Sequence, residues 1–147
     1  MKKHLLKVVS LIMVIAMCIG SVSVASAVVR SSLYLNQYRA WLSPGSDGVI
    51  YVCVDVQAVD YMDEVGASKI QIYESTDGGE TWDSVRVFMK SLYPEMVLED
   101  EVWYYEAPVE YQGVAGRQYF AVVTAYAADS TGFDEKEYIT AIVTARR

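Results

Sequence analysis

The sequence predicts an all-β fold, an immunoglobulin- or fibronectin-III-like sandwich of about seven antiparallel strands, on three observations. Apolar residues recur at every second position through several stretches, turn-forming clusters interrupt those stretches at short intervals, and no segment carries a helical period. The sharpest signal is the hairpin Ser68–Phe88, in which two alternating runs flank Ser75-Thr76-Asp77-Gly78-Gly79-Glu80-Thr81-Trp82. In such a turn Asp77 is placed to accept backbone N–H groups, Gly78 and Gly79 supply positive φ, and Trp82 can fold back onto the apolar side.

The elements follow in order. Leu33–Leu42, rich in aromatic and branched residues and stopped by Ser43-Pro44-Gly45-Ser46-Asp47-Gly48, reads as the first strand and its turn. Val49–Ala58 sets Ile50, Val52, Val54, Val56 and Ala58 on one face against Tyr51, Cys53, Asp55 and Gln57 on the other, a second strand. Val59–Ala67 is polar and ends near a glycine, so it reads as a connection. The hairpin supplies strands three and four, with Ile70 and Ile72 inward and Trp82, or Val85 and Val87, completing the pair. Lys90–Asp100 has no clean period and reads as a long connection.

Val102–Tyr111 alternates, and Pro108, which has no N–H to give a ladder, assigns that strand to an edge or to one-sided pairing. Arg117–Ala128 is apolar on both faces, as a central strand is. The loop Asp129–Glu135 leads to a last strand at about Glu137–Ala145. Within Ala115-Gly116-Arg117-Gln118-Tyr119-Phe120-Ala121, Tyr119 resembles the tyrosine of a tyrosine corner, which bonds back to the preceding turn, and Ala121 stands where antibody domains carry a disulfide cysteine.

The N-terminus has the pattern of an export signal. Lys2, Lys3 and Lys7 form a basic n-region, Leu5–Gly20 is largely apolar, and Ala25-Ser26-Ala27 matches a cleavage site, so residues 1–27 are expected to be removed and residues 28–147 to form a single domain. Met17 before Cys18 is too bulky for a lipoprotein signal. Removing residues 1–27 from 147 leaves 120, enough for one core. The signal takes with it three of the twelve Lys/Arg and none of the nineteen Asp/Glu, which leaves the exported chain a formal charge of −10. That charge repels phosphate backbones and anionic lipid, so neither nucleic acid nor, after cleavage, a membrane is an expected partner.

The chemistry on offer is narrow. His4 and Cys18 leave with the signal, so the exported chain keeps no histidine and one cysteine, Cys53. An internal disulfide, a histidine-assisted nucleophile and a His/Cys zinc site are thereby excluded. Cys53 reads as a small apolar residue in a strand. Glu106 and Glu110, taken to share an outer strand face, are the carboxylates an acid–base glycosidase would need, but surface carboxylates are common in so acidic a chain. Asp129, Asp134 and Glu135, and separately Asp60, Asp63 and Glu64, offer hard oxygen ligands without a ligand spacing, so calcium is allowed but not predicted, and no cofactor is expected.

Two resemblances add to this. Ser75, Asp77, Gly79, Thr81 and Trp82 match the Asp-box pattern Ser-x-Asp-x-Gly-x-Thr-Trp, which resembles the hairpins that punctuate sialidase propellers; one copy in 120 residues builds no propeller, and the box itself lends no catalytic residue. Leu33-Tyr34 to Trp41, Val52-x-Val54-Asp55-Val56, Met62-Asp63-Glu64-Val65-Gly66-Ala67, Ile70-x-Ile72-Tyr73-Glu74-Ser75 and Gly113-x-Ala115-Gly116-x-x-Tyr119 together resemble a family of small exported proteins of Gram-positive gut-type bacteria with no assigned function. That resemblance implies an extracellular or cell-surface β-sandwich and no catalytic residues.

The expectation is a secreted, non-enzymatic binding or structural module whose partner is an extracellular protein or a glycan, with a small carbohydrate-active protein as the alternative. If Tyr119 and Ala121 point inward, Phe120, Val122, Thr124 and Tyr126 point outward beside Tyr73. Tyr73, Phe120 and Tyr126 are therefore the expected binding face.

Overall fold

The computed structural model describes residues 32–147; the expected export signal and residues 28–31 lie outside the described residues. Two antiparallel sheets face each other. One holds β1 (Leu35–Pro44), β2 (Val49–Met62) and β6 (Glu101–Gln112) in the order β1-β2-β6. The other runs β4 (Asp83–Met89), β3 (Glu64–Ser75), β7 (Gln118–Asp129), β8 (Gly132–Ile139). Two-residue pieces complete it: β5 (Val97–Leu98) pairs with β3, and β9 (Val143–Thr144) with β7. The seven longer strands split three and four, consecutive β2 and β3 lie in opposite sheets, and β6 returns to β2, an immunoglobulin- or fibronectin-III-like sandwich.

The alternation that predicted the strands also fills the core. Ile50, Val52, Val54, Val56 and Ala58 of β2 face Ile70 and Ile72 of β3 and Ala121, Val123, Ala125 and Ala127 of β7, all buried. Each such valine or isoleucine contributes roughly 1.5–3 kcal/mol on leaving water. Small alanines on β7 leave room for the larger side chains opposite. Tyr104 plugs one side of the core, fully buried, and its hydroxyl donates to the Glu95 carbonyl at 2.7 Å, tying β6 to the 3-10 turn Pro94–Met96.

Several sequence expectations are corrected. Val59–Ala67 is not a connection: β2 runs on to Met62 and β3 begins at Glu64, so the chain changes sheets at Asp63 alone. Just beyond the crossing, Gly66 admits a second neighbour. It has φ +152°, and a Cβ there would stand 2.2 Å from the Met96 carbonyl oxygen, so only glycine lets β5 lie against β3. Val87 points outward and Phe88 points into the core opposite Ile70, because a bulge opposite Ile72/Tyr73 resets the alternation of β4.

Asp129–Glu135 is not a loop either. Asp129 pairs with Gly132 across a two-residue turn, and β8 carries Phe133 to Ile139. The side chain of Asp129 builds that turn, accepting from the Thr131 N–H and hydroxyl, both at 2.6 Å. Pro108 lies on an edge strand of its sheet, where the register of β6 against β2 shifts between Val52 and Val54. Tyr104 pairs with Val56 on the core side, and so do Val109 with Val52 and Tyr111 with Ile50, beyond the shift.

Candidate functional site

The turn from Ser75 to Trp82 is a closed unit. Asp77 Oδ1 accepts from the N–H groups of Glu80 (3.0 Å) and Thr81 (2.9 Å) and from the Ser75 hydroxyl (2.7 Å), while Oδ2 takes the Thr81 hydroxyl at 2.6 Å. The bonds from Thr81 and Ser75 hold the Asp77 carboxyl far below the usual carboxylate range. Ser75, itself buried, accepts the Gly79 N–H at 2.8 Å. Both oxygens of the aspartate are thus engaged within the turn. Trp82 leaves the turn over the outer face of the larger sheet, edge-on to Phe120 with ring centroids 4.8 Å apart.

Tyr119 is fully buried at the start of β7, and its hydroxyl accepts the Val114 N–H at 2.8 Å, a bond back to the preceding turn. The hydroxyl also donates to Glu74, whose other oxygen holds Arg117 at 2.9 Å. Burial first, and then the bond to Glu74, push the Tyr119 phenol up to about 12. A Cβ on Gly113 would lie 2.9 Å from the ring, so the turn has room for this tyrosine only with glycine there.

Of the three residues expected to form a binding face, two are in contact and the third stands apart on the same sheet face. Tyr73 and Phe120 stack with centroids 4.8 Å apart and planes within 6°, but Trp82 packs against Phe120 and occupies that part of the sheet. Tyr126 stands six residues farther along β7, beside Phe133 and beneath the Lys90 ammonium, which lies 4.4 Å from its ring centroid. A shallow, open depression on the same sheet, near Lys69, Lys90, Glu135 and Glu137, is of mixed charge.

The carboxylate groupings also separate. Glu106 pairs with core-facing Val54 and Glu110 with outward-facing Tyr51, on either side of the register shift, so the two do not share a face. Asp129 is bound into its turn, Asp134 accepts from Ser32 and the Leu33 N–H, and Glu64 is paired with Lys90. Among the described residues no three metal-ligating groups converge.

The outer face of the three-stranded sheet is different. Its register sets Gln37, Gln57 and Trp103 in one row across β1, β2 and β6, and Arg39, Asp55 and Tyr105 in the next. Trp41 and Cys53 follow, and then Ser43, Tyr51 and Glu110. The middle strand contributes small or buried groups at its centre, Cys53 and Asp55. Rings from the flanking strands lean over them and meet: Trp41 and Tyr105 lie 5.8 Å apart between centroids, and Tyr105 and Trp103 5.7 Å.

Asp55, only 6% exposed, sits under this roof with both carboxylate oxygens taken, one by Arg39 Nε at 2.6 Å and the other by the Trp103 indole N–H at 2.8 Å. Burial raises the pKa of the Cys53 thiol beside it. The indole is therefore pinned by its polar edge, while Trp103 and Tyr105 remain 55% and 52% exposed. Arg39 lies over Trp41 with its guanidinium carbon 5.7 Å from the ring centroid. The result is an aromatic surface anchored at Trp103, with the Asp55 carboxylate beneath it and its partner Arg39 at the surface.

Compared with known protein families and with curated proteins, the sequence matches none.

The sequence offered a partial signal for this surface. Trp103 and Tyr105 share one parity of β6, and Asp55 stands alone among apolar neighbours on β2. Which strands flank β2 decides whether those groups meet, and alternation within one strand does not reveal its neighbours.

Proposed function

We propose that the protein is an exported, non-catalytic binding module that meets its partner through the outer face of the three-stranded sheet. The observation that carries this reading is the joined surface of Trp41, Tyr105 and Trp103, the last two more than half exposed and Trp103 held from below by Asp55. Soluble domains seldom leave several large rings together in water without a use, and rigid aromatic side chains give contact area at little entropic expense. The export pattern of residues 1–27 supports an extracellular setting. The lack of histidine in residues 28–147 and the divergence of Glu106 from Glu110 support a role without catalysis. The Tyr73–Phe120 stack is the weaker candidate, because Trp82 already uses it.

The test is retention of the exported chain on a defined panel of immobilised mucin, collagen, cellulose, chitin and xylan. Retention on at least one support is expected, lost in a Trp41→Ala/Trp103→Ala double variant and kept in Tyr73→Ala. Equal retention of all three proteins, or none by the wild type, overturns the reading.

A further inference from the structure

Resting on that binding face, we propose that its occupant is an uncharged polysaccharide chain whose sugar rings stack on Trp103, Tyr105 and Trp41. Three features of the surface select this chemistry over a protein, a polyanion or a second copy of the chain.

The first is composition. From the row of Trp103 to the row of Tyr51, the outward positions of the three strands carry aromatic, amide, guanidinium, carboxylate, hydroxyl and thiol groups; the aliphatic groups are Ala107 and Pro108 at the register shift of β6 and, beyond Gln57, Val59. Tryptophan, tyrosine and arginine anchor protein interfaces too, so against a protein partner it is the area of the patch that decides. Aromatic faces flanked by amide donors and acceptors, here Gln37 and Gln57, suit pyranose rings. Such rings present C–H groups on their faces and hydroxyls around their rims.

The second is size. Three strands about 4.8 Å apart and four rows about 6.8 Å apart give a patch of roughly 300–400 Å². A standard protein interface takes about 800 Å² from each partner. The patch is broad enough for a single polymer chain and small for a globular partner or a symmetric dimer.

The third is charge. The only cation in these rows, Arg39, is already matched by Asp55, and a lone carboxylate, Glu110, stands at the far corner. Nothing there neutralises a polyanion, and the exported chain's formal charge of −10 repels one. The Arg39 guanidinium keeps outward N–H groups for hydroxyls, since only Nε is used on Asp55.

Titration of the exported chain with neutral β-1,4-linked hexasaccharides of glucose, N-acetylglucosamine, xylose and mannose, and with polygalacturonate as the anionic control, tests this through tryptophan fluorescence and calorimetry. Saturable binding of at least one neutral hexasaccharide is expected, with no response to polygalacturonate. Trp103→Ala and Tyr105→Ala should each weaken binding about tenfold. Unchanged thermal unfolding of Tyr105→Ala, whose side chain meets its neighbours through ring contacts, separates lost stacking from lost folding. If no neutral sugar binds while Trp41- and Trp103-dependent retention on a protein support persists, the sugar assignment fails and the binding face stands. If sugar binds equally to wild type, Trp103→Ala and Tyr105→Ala, the placement on this face fails. A concentration-dependent dimer abolished by Trp103→Ala overturns the assignment in favour of a second copy.

Discussion

The Trp103 indole donates its N–H to Asp55, a carboxylate nearly closed off from water, and Arg39 takes the other oxygen of the same group. Removing the carboxylate leaves two donors without a partner. Asp55→Ala should therefore lower stability in urea by about 1–2 kcal/mol, less than a fully buried charge would require, because Arg39 and Trp103 are both more than half exposed and can turn to water. Asp55→Asn, which keeps one acceptor, should lose less. Equal stability of the Ala variant and wild type would contradict the anchoring role.

The aromatic roof should shield Cys53, whose thiol pKa is raised by burial. The native protein is expected to react with a disulfide reagent at neutral pH more slowly than the unfolded chain, and Tyr105→Ala should speed the native reaction without changing the unfolded one. An unaltered native rate would show that the rings do not cover the sulfur.

Tyr119→Phe removes the acceptor of the Val114 N–H and the donor to Glu74, and should destabilise the domain by about 1–2 kcal/mol. The pH dependence has a definite sign. The folded phenol titrates near 12, above its ordinary 10, so its contribution is complete below pH 10 and drains away as the pH rises toward 12. The Phe variant should show a shallower loss of stability across that window, measured by thermal unfolding.

Asp77 works in the opposite direction. Its carboxyl is held far below its ordinary 3.8, so the stability it supplies is present above that value and falls away on further acidification. Asp77→Ala should lower the melting temperature at neutral pH, flatten the acid limb, and shift Trp82 emission toward the red as the ring leaves Phe120. Wild-type acid sensitivity in the variant would count against the turn as its source.

Two glycines with positive φ should respond differently to alanine. At Gly78 an added methyl group would have no atom within 4 Å, so only the left-handed backbone opposes the change, at about 1–2 kcal/mol. Gly66 adds a collision with the backbone of Met96 and Val97 that no rotamer relieves, and Gly66→Ala should cost clearly more. Similar chemical-denaturation midpoints for the two variants would refute the close packing of β5 on β3.

The strands were legible wherever a single period held. Ile50 to Ala58 announced both β2 and its buried face, and Ser75 to Trp82 announced a turn in which Asp77 accepts backbone N–H groups. Legibility failed where one extra residue reset the alternation. The bulges near Val85 and Pro108 decide that Phe88 rather than Val87 enters the core and that Glu106 parts from Glu110. It failed also where the deciding fact was which strand lies next to which. Tyr73, Phe120 and Tyr126 share a sheet face as expected, yet Trp82 from the turn fills part of it, while Trp41 and Tyr105, sixty-four residues apart, meet over β2.

The rims of the four-stranded sheet are each written in two pieces, β4 then β5 on one side and β8 then β9 on the other. Where β8 stops, Thr140 uses both its backbone N–H and its hydroxyl to satisfy Ala121, so the gap is sealed from within. A strand from a neighbouring molecule laid along either rim would lose its hydrogen-bond run at the interruption, and along β8 it would meet Glu135, Lys136 and Glu137. In this sheet, protection against amyloid-like stacking is built into where the outermost strands break.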